Sequence, residues 1–366
     1  MGIENMAFDP LKPFNDLPEL PPAVDVETKP VLRKTVAAGR ALAELKGLGE
    51  TIPDQGILIN SIVLQEARAS SEIENIVTTN DALFRALAVS SSTKIDPATK
   101  EVLRYREALW TGYQDLLRRP VLTTNVFAHI VSTITKNESG VRALPGTVLS
   151  NPATGDIVYT PPEGEDIIRR KLRNLEDYMH SPDGPDPLVK MAAVHYQFEA
   201  IHPFSDGNGR TGRILSILYL VQQGLLDMPV LYLSRYIIEN RSEYYRRLRL
   251  VTESQDWESW VLYMLEAVEE TAVFTRKRIL DIRRLVSETM DVVKRSLPNV
   301  YSKELIEVLF RHPYAKAQFI MDKGIAKRQT ASIYLRELER IGVLQSFKVG
   351  TERIFLNVKL YELLSS

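Results

Sequence analysis

The chain has 366 residues, 44% of them hydrophobic and 25% charged, enough for one large domain and one or two small ones with cores of their own. Its formal charge of −1 supplies no global field toward nucleic acid or anionic lipid, so any such binding has to be local. The absence of cysteine excludes disulfides, thiolate catalysis and Cys-ligated zinc, and leaves five histidines, His129, His180, His195, His202 and His312, as candidate bases or ligands.

No run of about 18 apolar residues is present and the start lacks the basic and apolar regions of a secretory signal, so no membrane association and a cytoplasmic setting are expected. The first two dozen residues, rich in proline and acidic side chains, predict an extended arm laid over something else. Helical periodicity then runs through PVLRKTVAAGRALAELKGL, ILINSIVLQEARASSEIENI, KEVLRYREALWTGYQDLLRR and TTNVFAHIVSTITK. TVLSNPATGDIVYTPP reads differently: two short apolar runs flank a turn at residues 152–155, which predicts a β-hairpin carrying Ile157, Val158 and Tyr159. Helices resume with DIIRRKLRNLEDYMH, PLVKMAAVHYQFEAI and RILSILYLVQQG, and a long amphipathic stretch over residues 257–297 closes before Pro298 as the expected connector to a separate module. From Tyr301 the order helix, helix, longer helix and two short strands predicts a winged helix-turn-helix with Gly324 near its turn. This segment holds 11 Lys and Arg against 7 Asp and Glu, a formal +4. Lys327 and Arg328 open its recognition helix, so DNA is a candidate partner; the plainer reading is a protein-contact or homodimer module.

HPFSDGNGRTGR, residues 202–213, concentrates the chemistry. GNGRTG satisfies a dinucleotide-binding glycine pattern only in form, because the segment before it is helical instead of a buried strand, and no G-K-[ST] closes a phosphate loop of the Walker type. What remains is a glycine-bearing loop entering a helix, a geometry suited to phosphate. Pro203 stops the preceding helix so that His202 can face the loop, and a neutral imidazole near its ordinary pKa of about 6.5 can take a proton from a hydroxyl. Asp206 is a hard oxygen ligand of the kind Mg²⁺ shares with substrate phosphates. Arg210 and Arg213, three apart on the following helix, can fork onto phosphate oxygens. Together they describe transfer of a phosphorus-containing group to a hydroxyl. His195 and His202 are seven apart with no third ligand nearby, which argues against a zinc hydrolase; His195 is read as a packed helix residue.

HPFSDGNGRTGR resembles, without mismatch, the H-P-F-x-[DE]-G-N-G-R-x-x-R signature of the Fic (filamentation-induced-by-cAMP) family. The resemblance implies a mainly α fold: a Fic-type helical core with a β-hairpin flap, plus the C-terminal winged helix-turn-helix. It divides the chain into an N-terminal arm and helices (1–98), a core (99–255), a helical connector (256–299) and the winged module (300–366). It also implies an enzyme moving AMP from ATP onto a Ser, Thr or Tyr hydroxyl of a target protein, or of itself, with release of pyrophosphate. His202 would be the base and Asp206 the Mg²⁺ ligand. Asn208, with the backbone of Gly207 and Gly209, would grip the phosphates; Arg210 would help hold them and Arg213 would bind the γ-phosphate. Phe204 would anchor the loop. The hairpin would be the flap that aligns the target by main-chain hydrogen bonds, and Tyr244 and Tyr245 are placed where adenine contacts are expected. Nothing in the motif reads the base, so UMP or phosphocholine transfer stays open.

SSEIEN, residues 70–75, resembles the family's inhibitory signature [ST]-x-x-x-E-[GN], met by Ser70, Glu74 and Asn75. A carboxylate on Arg213 would occupy the cation that a γ-phosphate needs. Two other readings accompany this one: a hydrolase that uses Glu74 to remove AMP, and a DNA-binding regulator whose core only senses nucleotide.

Overall fold

The computed structural model describes residues 8–49, 55–88, 95–138, 140–151, 154–349 and 352–365. Among the described residues, the proline-rich stretch 8–28 forms no helix and is strapped onto the body instead. Leu17, Leu20 and Val26 are buried, and Lys171 Nζ and Asn174 Nδ2 donate to the carbonyls of Leu17 and Leu20 at 2.6 and 2.8 Å. Satisfying strap carbonyls this way lets irregular backbone lie on a core.

Helix Lys29–Gly49 packs along the first half of the 40-residue helix Trp257–Ser296. That long helix is therefore more than the connector its pattern suggested: Trp260, Met264, Val268 and Ala272 are fully buried, and Trp260 Nε1 donates to the Ala192 carbonyl at 2.8 Å. Among the described residues, no helix is long and apolar enough to cross a membrane. The periodic stretch preceding residue 76 is broken into Gln55–Leu58, a π-helical turn Ile59–Val63 and helix Leu64–Ile73. Ser61 Oγ donates back to the Ile57 carbonyl at 2.7 Å, taking an acceptor that the α-helical ladder would use.

At the centre lie helices Pro187–Ile201 and Asn208–Gln222, buried around their whole circumference instead of along a stripe. Helix Pro97–Arg118 approaches the second of these at Gly112, where a Cβ would fall 2.7 Å from Leu218 Cδ1 and would push that side chain aside.

The predicted hairpin is present as strands Leu149–Ser150 and Ile157–Tyr159, antiparallel, with Gly155 at φ 78° closing the turn; Pro152 and Ala153 lie outside the described residues. At the C-terminus the order is helix Lys303–Arg311, strand Tyr314–Ala315, helix Ala317–Asp322, helix Arg328–Arg340, and a hairpin Gln345–Val349 with Glu352–Leu356. The last strand sits between the other two, and Tyr314–Ala315 is a short strand the sequence did not announce. A closing helix, Val358–Ser365, returns to the long helix, and Tyr314 Oη donates to Asp81, so the module is docked on the body.

Candidate active site

Helix Pro187–Ile201 ends on a bond from the His202 N–H to the Phe198 carbonyl at 3.0 Å, after which His202 turns left-handed at φ 48° and ψ 59°. Such a conformation costs a non-glycine residue about 1–2 kcal/mol and persists only where neighbours over-determine it. Arg142 does so. Its Nε donates to the His202 carbonyl at 2.7 Å, its Nη2 donates to the carbonyls of Pro162 and Ile201, and its backbone N–H donates to Pro203 at 2.9 Å. Arg142→Lys is expected to lower the unfolding free energy by about 2 kcal/mol, because one ammonium cannot reproduce the fork and leaves buried carbonyls unpaired. A thermal melt indistinguishable from wild type would refute this.

The loop that follows is held from inside. Phe204 is buried, and the Asn208 side chain closes on it: Nδ2 donates to the Phe204 carbonyl at 2.8 Å and Oδ1 accepts from the Phe204 N–H at 2.9 Å. Asn208 thus offers an anion its backbone amide and not its carboxamide, which departs from the expectation that the side chain grips phosphate. Gly207 sits at φ 77° with its N–H on Asp206 Oδ1 at 2.6 Å. The first intrahelical bond is Thr211 N–H to Gly207 carbonyl, so the amides of residues 208–210 precede the ladder at the positive end of the helix.

Arg213 is 1% exposed and bound to the Leu64–Ile73 helix and its C-cap: Nε donates to Ser70 Oγ at 2.8 Å, and Nη2 to the Ser70 carbonyl at 2.9 Å and to Glu74 Oε1 at 2.7 Å. Desolvation alone would weaken the guanidinium, but Glu74, then Tyr244 and Glu199, hold its pKa well above the ordinary value. Glu74 is desolvated too, yet Arg213, with Arg210 and His202, holds its carboxyl below the usual range. The Glu74 carboxylate also lies over the helix start: a Cβ on Gly209 would meet Oε1 at 2.3 Å. It stands where an anion would stand.

His202 departs from the solvent value assumed for it. Burial, and then Arg142, push its pKa down to about 4 against the opposing pull of Glu74 and Asp206, and its Nδ1 is buried with no hydrogen-bond partner. The imidazole is neutral at physiological pH and is a weaker base than a solvated one. His195 is wholly buried, with Nδ1 at 2.9 Å from Ser216 Oγ and Nε2 at 2.8 Å from Tyr244 Oη. Since Ser216 Oγ donates onward to the Gly212 carbonyl, the network assigns the proton to Nδ1 and makes Nε2 the acceptor of the Tyr244 hydroxyl.

A cavity of about 960 Å³ opens over these groups. His202, Gly209, Arg213, Glu74, Asn75, Tyr244 and Tyr245 line it together with the flap residues Val158 and Tyr159. Tyr244 is buried and tied to His195, whereas Tyr245 is half-exposed. Ser70, Ile157, Asp206, Gly207, Asn208 and Arg210 stand behind or beside the lining. Arg210 is buried against Glu101, with Asp206 at 3.5 Å, so it braces the loop from behind. Asp206 is 70% exposed; a single accessible carboxylate fits Mg²⁺, which takes one or two carboxylates and fills its remaining positions with water and substrate phosphate. Among the described residues, no cluster of three or more carboxylate or imidazole groups could hold a metal by itself.

Sequence reasoning missed three residues here. Glu199 lines the cavity with Oε1 buried and unpartnered, and burial pushes its pKa up to about 7 despite Arg213. It stands one helical turn before His202, a spacing that could have drawn notice. Arg142 and Glu101 carried no local signal, being 60 and 109 residues from the groups they hold.

Three family models match the chain in tandem: Fic/DOC family N-terminal over residues 32–114, Fic/DOC family over 122–220, and the C-terminal domain of protein adenylyltransferase SoFic-like over 285–360. Protein adenylyltransferase fic-1 of Caenorhabditis briggsae is 33% identical over 113 residues, 30% of this chain and 21% of that protein. A probable protein adenylyltransferase of Aquifex aeolicus is 34% identical over 95 residues, 26% of this chain and 27% of that one. The similar stretch thus spans only about a fifth to a quarter of these relatives. In three dimensions, a Fic family protein from Desulfovibrio desulfuricans G20 superposes with a TM-score of 0.57 over 92% of this chain and 98% of its own, at 20% identity. Fic-1 of Caenorhabditis elegans gives 0.50 over 70% and 74%, at 18% identity. These likenesses speak to the fold.

Proposed function

The chain belongs to the Fic/DOC family, and from that we propose that it is a protein adenylyltransferase, moving AMP from ATP to a Ser, Thr or Tyr hydroxyl of a target protein or of itself and releasing pyrophosphate. One observation carries the reading: the imidazole of His202, the guanidinium of Arg213, the helix start at Gly209 and the flap residues Val158 and Tyr159 open onto one cavity. His202 takes the proton of the incoming hydroxyl. The amides of residues 208–210 and Arg213 receive phosphate oxygens, and the strand Ile157–Tyr159 aligns an extended target segment. Asp206 would hold Mg²⁺, which would supply charge neutralisation on the polyphosphate. Glu74 competes for Arg213 and holds the enzyme off. Intact-mass spectrometry of the Glu74→Gly chain incubated with ATP, Mg²⁺ and a lysate is expected to find an added AMP on itself or on a lysate protein; a UMP or phosphocholine mass under the matching donor would reassign the transferred group.

A second role, contact with nucleic acid, is favoured by Lys327, Arg328, Gln329 and Thr330, which are all exposed at the start of the Arg328–Arg340 helix. A salt-dependent mobility shift of duplex DNA, lost in Arg328→Ala, is expected; equal shifts by both proteins would assign the face to another partner.

A further inference from the structure

A second cavity, of about 320 Å³, lies on the opposite face of the Leu64–Ile73 helix from Arg213. Residues 65, 68, 69 and 72 line it, while Ser70 and Glu74 face Arg213. Three guanidinium groups reach it from three helices: Arg68 from Leu64–Ile73, Arg235 from Leu233–Glu239 and Arg278 from Trp257–Ser296. Phe274 is a platform for two of them, with the guanidinium carbons of Arg235 and Arg278 at 3.9 and 5.0 Å from its ring centroid. Arg278 also donates to the Leu363 carbonyl, and burial, with Arg235 beside it, holds its pKa below the ordinary value. Arg68 Nε is buried with no hydrogen-bond partner.

Arg278 feels the carboxylate of Asp281, whereas the counter-charges of Arg68 and Arg235 are weak. Glu72 is 3.9 Å from Arg68 and Glu239 is 3.0 Å from Arg235, each four residues away on the same helix, with side chains 38% and 49% exposed and screened by solvent. The guanidinium groups of Arg68 and Arg235, fixed on separate helices and one with an unsatisfied donor, suit a guest with several oxygens. The face of Phe274 is taken by guanidinium and is not open to a nucleobase.

We propose that this cavity binds a small phosphate-bearing anion, with Arg68 and Arg235 as its forks and the Tyr232 hydroxyl as a further donor, and that the anion ties the Leu64–Ile73 helix to its neighbours. Binding stands on this geometry alone. Its consequence, a stronger hold of Glu74 on Arg213, rests on the proposed role of Glu74 and follows from the reciprocity of coupled sites.

Inorganic pyrophosphate is the probe, and amide hydrogen exchange of the full chain is the readout. Pyrophosphate is expected to slow exchange across residues 64–73 by about threefold or more, with heat of binding in calorimetry, and Arg235→Gln and Arg68→Gln should each lose both effects. No protection in the wild type would overturn the proposal. So would protection undiminished in both variants, which would assign the anion to the cavity of Arg213. Neither result depends on whether Glu74→Gly activates transfer.

Discussion

Glu74→Gly is expected to raise incorporation of label from ATP, into targets and into the chain itself, by tenfold or more when ATP is subsaturating. Arg213 has no solvent to fall back on, and two of its three bonds go to Ser70, which does not titrate. The third, to Glu74, is the one a γ-phosphate must displace. Removing one partner of a buried pair costs about 3–5 kcal/mol. Glu74 is 35% exposed, so solvent screening trims that figure, yet about 1.4 kcal/mol is enough for tenfold. The substitution falls at the C-cap, φ −89° and ψ 17°, which glycine adopts readily, so the helix before it should survive. Because Arg213 holds the carboxyl below its usual range, the brake is expected to outlast acidification that would protonate a free glutamate. Transfer and ATP consumption at the wild-type level in this variant would remove Glu74 from regulation.

His202→Ala, made on the Glu74→Gly background, is expected to cut transfer by about 10² to 10⁴ while leaving ATP affinity within a few-fold. The pH dependence is the sharper test. With the imidazole pushed down to about 4, the proton-accepting form is present above that pH and is lost as pH falls through it. The acid limb of kcat/KM is therefore expected near pH 4, and lower still once Glu74, which raises the value, is gone. A limb between pH 6 and 7 would mean that the ring is solvated and that its burial against Arg142 does not hold in solution.

What could be read in advance follows from how far apart the interacting parts lie in the chain. The segment 202–213 is contiguous, so its loop, helix start and base were visible as a string, and Ser70 and Glu74 sit four apart on one helix edge. The partners that fix the string's shape come from elsewhere. Arg142 and Glu101 are ordinary surface-type residues until folding places them behind His202 and Arg210, and no periodicity marks them. The long helix shows a subtler failure: its apolar positions at 260, 261, 264, 268 and 272 carry the 3–4 spacing of a helix, which says that a face is buried but not that Lys29–Gly49 and the central helices do the burying. The π-turn left no trace in the pattern, because one extra residue shifts the phase less than composition blurs it. Asn208 is ambiguous in the sequence for a different reason. Its type suits both a ligand contact and a loop staple, and only the distances to Phe204 separate the two.

The single guanidinium of Arg142 joins Pro162, just beyond the hairpin, to Ile201 and His202, and Tyr159 adds a second tether by donating to the Ala200 carbonyl at 2.8 Å. Hairpin and imidazole consequently form one jig. A client laid along Ile157–Tyr159 would find its hydroxyl indexed to the ring by this chain's own carbonyls, whatever residues the client carries on either side. Selectivity among clients would then be decided away from the reacting atoms, by which proteins can present an extended stretch to that edge.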